Sequence, residues 1–191
     1  MKKLLAILLS VLLLTACLPL GAVNVSAARY GDLDYEINDG EVTIIDCSYF
    51  ASGALTIPDT IKGYPVTTIG NSAFAGCADL TSITIDNGVA IIGERAFYEC
   101  AGLTSVTLPG SVKRIGTHAF FDCTELASLE LCEGLESIGS KAFYNCDLEY
   151  VTLPATLKSI AASGFERAGM VELTFGPNVE TVGEKGFSGN R

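Results

Sequence analysis

The sequence predicts a mostly β solenoid of about six coils, each of 22–23 residues, closed at one end by an N-terminal β-hairpin cap. Three observations predict it. An apolar pattern recurs at a fixed interval along most of the chain, and each copy alternates apolar and polar residues with the period of a strand. A non-repeating pair of strand-like segments precedes the first copy.

The repeats come first, because their period sets everything else. Five blocks align without effort: LTSITIDNGVAIIGERAFYECAG (80–102), LTSVTLPGSVKRIGTHAFFDCTE (103–125), LASLELCEGLESIGSKAFYNCD (126–147), LEYVTLPATLKSIAASGFERAG (148–169) and MVELTFGPNVETVGEKGFSGNR (170–191). A sixth, LTIPDTIKGYPVTTIGNSAFAGCAD (55–79), carries extra residues around Lys62-Gly63-Tyr64-Pro65. Within one block, Leu103, Val106 and Leu108 form L-x-x-V-x-L, the apolar signature of a leucine-rich repeat strand. Val106 and Leu108 lie two apart and share a face, while Thr107 points away. Pro109-Gly110 ends the strand, since Pro cannot donate to a ladder and Gly opens a turn. Val112 and Ile115 return to the core, Gly116 turns the chain again, and Ala119 and Phe120 plug the coil before Cys123 closes it. A single block would leave half its apolar side chains in water. Stacked blocks bury them against each other, so the array is stable only as an array.

Residues 28–54 do not repeat. Leu33 to Ile37, the turn Asn38-Asp39-Gly40, and Glu41 to Asp46 read as two strands of a hairpin, placed to cover the open face of the first coil. Ahead of them, residues 1–27 have the order of a secretory leader: Lys2 and Lys3, an apolar run from Leu4 to about Leu20, and the small-residue exit Val25-Ser26-Ala27. Cleavage after Ala27 is the expectation. Leu14-Thr15-Ala16-Cys17 also resembles a bacterial lipobox, in which Cys17 would carry a lipid anchor, although Leu18-Pro19-Leu20 keeps the apolar run going past it. No second long apolar span follows, so no membrane span is expected. Loss of Lys2 and Lys3 takes the formal net charge from −10 to −12. A chain this acidic, with no Lys/Arg cluster, is a poor ligand for nucleic acid or anionic lipid. At the far end the sequence reaches Arg191 inside a coil with no polar cap, so the last block is expected either to fray or to be the cut end of a longer protein.

The unit L-T-S-V-T-L-P-x-S-V-x-x-I-G-x-x-A-F-x-x-C resembles the BspA-type leucine-rich repeat of bacterial surface proteins, over residues 55–191 and less fully over 33–54. The lead-in Ile61 to Gly70 is similar to that family's usual first coil. The resemblance implies a secreted or surface-attached protein, some relatives of which are adhesins toward host matrix proteins or other bacteria. It implies no catalytic residues. The last two coils depart from the pattern, with Gly164-Phe165 and Gly186-Phe187 for Ala-Phe, and Ala168 and Asn190 in the cysteine slot.

Four cysteines, Cys77, Cys100, Cys123 and Cys146, recur three residues after the repeat Phe. A zinc site needs ligands converging on one point, whereas one Cys per coil forms a row along the axis. The expectation is buried free thiols, with a disulfide between neighbouring coils as the alternative. Cys47 and Cys132 are off-register, and their redox state is open. His118, the only histidine, sits in a slot shared with Arg95, Lys141, Ser163 and Lys185, so it reads as a solvated position rather than as the base of a Cys123 nucleophile. No cofactor, metal or catalytic set is expected. Leu153-Pro154-Ala155-Thr156 resembles the start of a sortase signal, but Leu157 follows it and the Pro is the strand-ending one.

What remains is surface. The outward strand slots hold Ser82, Thr84, Ser105, Thr107, Ser128, Glu130, Tyr150, Thr152, Glu172 and Thr174, a polar stripe of the kind solenoids use for recognition. Tyr150, flanked by Glu149 and Glu172, is the strongest single contact, since exposed aromatics are enriched at interaction hot spots. The function expected is a non-catalytic, adhesin-like binding protein whose partner is an extracellular protein or glycan. The alternatives are a glycan-binding module using Tyr98, Phe121 and Tyr144 as stacking platforms, and a structural spacer without a ligand.

Overall fold

The structure is a computed structural model that describes residues 25–191, so most of the expected leader, including Cys17, lies outside the described residues. Every regular element is a strand: β1 (Val25–Tyr30), β2 (Leu33–Asn38), β3 (Glu41–Cys47), β4 (Gly53–Ile57), β5 (Thr60–Ile61), β6 (Tyr64–Ile69), β7 (Leu80–Ile85), β8 (Ile91–Ile92), β9 (Ser105–Thr107), β10 (Arg114–Ile115), β11 (Ser128–Glu130), β12 (Ser137–Ile138), β13 (Tyr150–Thr152), β14 (Ser159–Ile160), β15 (Glu172–Thr174) and β16 (Thr181–Val182). Among the described residues no helix is long and apolar enough to cross a membrane.

Each coil contributes one strand to each of two parallel sheets. Along one side run β6, β8, β10, β12, β14 and β16 in chain order. The opposite side carries β4, β7, β9 and β11, with β13 and β15 as a separate pair. Register repeats by coil: Ser82, Ser105 and Ser128 align, as do Ile69, Ile92, Ile115, Ile138 and Ile160. The break between β11 and β13 falls where the connection from the cysteine slot to the strand shortens by one residue, from Cys123-Thr124-Glu125-Leu126 to Cys146-Asp147-Leu148. Ala168-Gly169-Met170 keeps the shorter form, so β13 and β15 pair in register again.

The cap has three strands. β2 and β3 form the antiparallel hairpin, turned at Asp39 and Gly40 with φ of +53° and +80°, which suits a type I′ turn. β3 then joins the coil sheet by parallel pairing with β6, Val42 against Val66 and Ile44 against Ile69. β1, which the sequence does not reveal, pairs with β2 and begins at Val25, inside the segment read as leader. Its three consecutive pairs, Ala28–Tyr35, Arg29–Asp34 and Tyr30–Leu33, all follow Ala27. The insertion at Lys62-Gly63 is a second hairpin, between β5 and β6.

The core is a stack of identical slots. Phe74, Phe97, Phe120, Phe143 and Phe165 are fully buried, and each ring lies over the next at 4.8–5.2 Å between centroids, continuing to Phe187 at 5.6 Å. Adjacent rings are within 14° of parallel. A repeat of one coil fixes that geometry, since equivalent side chains are translated by one strand spacing. Core slots that are buried elsewhere open in the last coil: Val182 is 44% exposed where Ile160 is 1%, and Phe175 is 54% exposed where Leu153 is 2%.

Candidate binding faces

The strand face is built from the outward positions of β7, β9, β11, β13 and β15. Thr84, Thr107, Glu130, Thr152 and Thr174 are exposed, with Thr84–Thr107–Glu130 and Thr152–Thr174 in lateral register. In the second column, Ser82 and Ser105 are half-buried, and Ser128, Tyr150 and Glu172 are exposed. The residue between them, Ile83, Val106, Leu129, Val151 or Leu173, points inward, so alternation alone sorts the two sets. The face is not continuous, because the break between β11 and β13 divides it. On the N-terminal side of the break Glu130 is the one charged residue of the two columns, and the C-terminal side is acidic and aromatic: Tyr150 is 64% exposed and pairs across with Glu172, with exposed Glu149 and Val171 adjoining.

A different edge of the solenoid carries Tyr98, Phe121 and Tyr144. These rings pack on one another at 5.1 and 4.9 Å, 7° from parallel in both pairs, and are half-buried. Their faces are therefore largely spent on each other, and the two outer faces look toward the Ala75 and Glu166 slots. Arg95 lies 6.0 Å over Tyr98 and Lys141 5.7 Å over Tyr144, closing the ladder with cations. A sugar stacks on a ring face, so this arrangement offers it edges where separate platforms were expected.

His118 stands beside the ladder, edge-on to Phe121 at 5.3 Å, in a left-handed backbone conformation shared with Arg95 and Lys141. Burial holds its pKa below the ordinary value, and the cations Arg95 and Lys141 lower it further against the opposing charge of Glu94. Its Nδ1 has no hydrogen-bond partner, so no hydrogen bond from that atom reaches Cys123. The Cys123 thiol instead donates to the Phe97 carbonyl at 3.1 Å.

All six cysteines of the described residues are free thiols, and five of them are buried. Cys100 is pushed up by its hydrogen bond with Cys123 and by burial, and Cys146 by burial, so both stay protonated. Among the described residues no three His, Cys, Asp or Glu side chains are grouped as metal ligands. The Leu153-Pro154-Ala155-Thr156 stretch is woven into the wall. Leu153 and Pro154 are buried, and the Thr156 hydroxyl donates to the Leu135 carbonyl at 2.8 Å while accepting from the Gly134 amide.

The profile of the BspA type Leucine rich repeat region matches residues 43–171 and 136–191, in six copies. The chain belongs to the BspA-type leucine-rich repeat family. No curated protein matches it. Among solved structures it is similar to the leucine-rich repeat protein TpLRR of T. pallidum, at 25% identity and a TM-score of 0.67 over 82% of this chain and 83% of that one. A leucine-rich repeat protein of Bacteroides ovatus gives 30% identity and a TM-score of 0.70, over 86% of this chain but 43% of that one. A leucine rich cell surface protein of Faecalibacterium prausnitzii gives 25% and 0.57, over 86% and 55%. The chain thus spans about half of the two longer relatives. Leucine-rich repeat proteins of this kind bind other macromolecules.

Proposed function

We propose that this is a secreted or surface-displayed binding protein, adhesin-like and without catalysis, which recognises an extracellular macromolecule through its strand face. The observation that carries the reading is Tyr150. It is a large ring, 64% exposed, on an outward strand slot where an array selected only for folding would be served by the Ser found in the three equivalent positions of β7, β9 and β11. Around it the outward columns are free of packing duties, which is the condition for a recognition surface. A protein partner is favoured over a glycan because the other aromatic cluster spends its ring faces internally.

Binding of the described chain to immobilised matrix proteins and to a glycan array tests this. Tyr150→Ala is expected to weaken the protein complex by roughly tenfold or more, as hot-spot truncations do, and Tyr98→Ala to leave it unchanged. The reverse pattern, with binding only on the glycan array, would move the site to the aromatic ladder. Silence on both surfaces would leave the spacer reading standing and end this one.

A further inference from the structure

Cys47 and Cys77 are unlike the other buried thiols in what surrounds them. Down the cysteine column, Cys100, Cys123 and Cys146 each donate to the carbonyl of the repeat Phe that lies 26 residues earlier, Phe74, Phe97 and Phe120, at 3.0–3.3 Å. Cys77 heads the column, and no repeat Phe precedes it. Its neighbour from the cap is Cys47, the last residue of β3, which lines the same cavity and perturbs its pKa. The segment after Cys47 is held alongside the first coil, with the Gly53 amide donating to the Asp79 carbonyl at 2.9 Å. Both cysteines open on one cavity of about 440 Å³, shared with Arg29, Asp34, Tyr49 and Phe50.

The column thiols are poorly placed for a disulfide. Equivalent residues of stacked coils have parallel Cα–Cβ bonds about 4.7–4.9 Å apart, whereas a disulfide brings its Cβ atoms to about 3.8 Å. Cys100 and Cys123 also have no exposed surface. Cys47 reaches Cys77 from the cap, an element outside the repeat, and escapes that constraint.

We propose that Cys47 and Cys77 form a closable thiol pair, which an incoming small disulfide converts into a covalent bond between the N-terminal cap and the first coil. The Cys77 thiolate attacks one sulfur of the oxidant R–S–S–R and expels RS⁻, leaving a mixed disulfide on Cys77. The Cys47 sulfur then attacks the Cys77 sulfur and a second RS⁻ leaves. Two protein thiols become one disulfide, the oxidant becomes two RSH, and the two thiol protons go to the two leaving thiolates. This order follows the acidity of the two thiols, since their mutual interaction holds Cys77 below its ordinary pKa and raises that of Cys47.

The test uses the full chain with Cys17→Ser and Cys132→Ser, removing the thiols outside the wall. The folded protein is exposed to oxidised glutathione, blocked with iodoacetamide and digested without reductant. The expected product is a peptide joining Cys47 to Cys77, two hydrogens lighter than its separate halves, while Cys100, Cys123 and Cys146 alkylate only after unfolding. The oxidised protein should melt about 10 °C higher than the reduced one, because the bond closes a loop of roughly thirty residues. Cys77→Ala should abolish both effects. It keeps a slot that Ala168 fills in another coil, so loss of folding is not the explanation. Recovery of Cys47 and Cys77 as separately modified peptides at every oxidant concentration would overturn the proposal. So would cross-links scattered equally among the column cysteines.

Discussion

In the slot that closes each coil, Cys123 donates its thiol to the Phe97 carbonyl, Asn190 donates its amide to the Phe165 carbonyl, and Ala168 has nothing to donate. The slot therefore asks for a small side chain and accepts a donor without requiring one. Cys123→Ala should cost about 1 kcal/mol or less, since a thiol is a weak donor and the volume lost is small. Phe120→Ala empties a slot stacked on both sides and should cost about 3–5 kcal/mol; urea unfolding of the two variants gives the comparison. His118 supplies a second residue-level expectation. Its pKa is lowered in the folded chain, chiefly by burial, and a proton on the unpartnered Nδ1 would find no acceptor. The unfolded chain therefore binds the proton first as pH falls through about 6.5. Stability contributed by the neutral ring is fully present above that pH, declines below it, and levels off once the folded chain titrates too. Because His118 is the only histidine, its NMR titration is unambiguous. The midpoint should lie below the ordinary range, and Arg95→Ala should raise it only in part, since burial is the larger cause.

At the scale of the element, one tight constraint recurs from coil to coil at the glycine after the repeat Ile. A Cβ on Gly116 would stand 2.6 Å from the Gly93 carbonyl atoms and 2.7 Å from the Glu94 nitrogen, and one on Gly139 would stand 2.5 Å from Gly116. The atoms met there are backbone, which gives less readily than the end of a side chain. Gly116→Ala should destabilise the array by about 1–3 kcal/mol, as overpacking does, read from the denaturation midpoint at unchanged slope. One coil exchanges the pattern, with Ala161 in the Gly slot and Gly164 in the Ala slot, where a Cβ would meet the Ile160 side chain at 2.5 Å. Most of this was legible beforehand. Periodicity marked Ile, Gly and Phe as wall, and Asn-Asp-Gly marked the hairpin. β1 was not legible, because its first residues complete a leader-like stretch and its pairing depends on β2 rather than on any repeat. The break after β11 was also hidden: it follows from one missing residue between Cys146 and Leu148, which shifts a strand's register while leaving every motif intact.

For the whole molecule, the sequence displayed the wall more clearly than the site, because the wall repeats and a binding surface is made of what does not. The outward columns followed from strand alternation, but the packing of Tyr98, Phe121 and Tyr144 onto one another depends on a ring-to-ring distance that one-dimensional spacing does not contain. What the three-dimensional arrangement adds to the proposed binding face is its uneven charge. Glu149 precedes Tyr150 and Glu172 pairs across from it, while the Ser and Thr of β7 and β9 are uncharged, and the whole chain is acidic. A partner seated over Tyr150 would meet these carboxylates and should carry Lys or Arg opposite them. Exposed charges more than about 10 Å apart are screened at 0.1 M salt, so the attraction acts on the approach of the partner more than on the finished contact. Raising salt from about 0.05 to 0.5 M should therefore slow association markedly and change dissociation little. The double variant Glu149→Gln, Glu172→Gln should flatten that salt dependence. Tyr150→Ala should instead speed dissociation at every salt concentration, because an apolar ring is not screened. Surface plasmon resonance across a salt series separates the two rates, and an association rate indifferent to salt would place the contact on the uncharged Ser and Thr of β7 and β9.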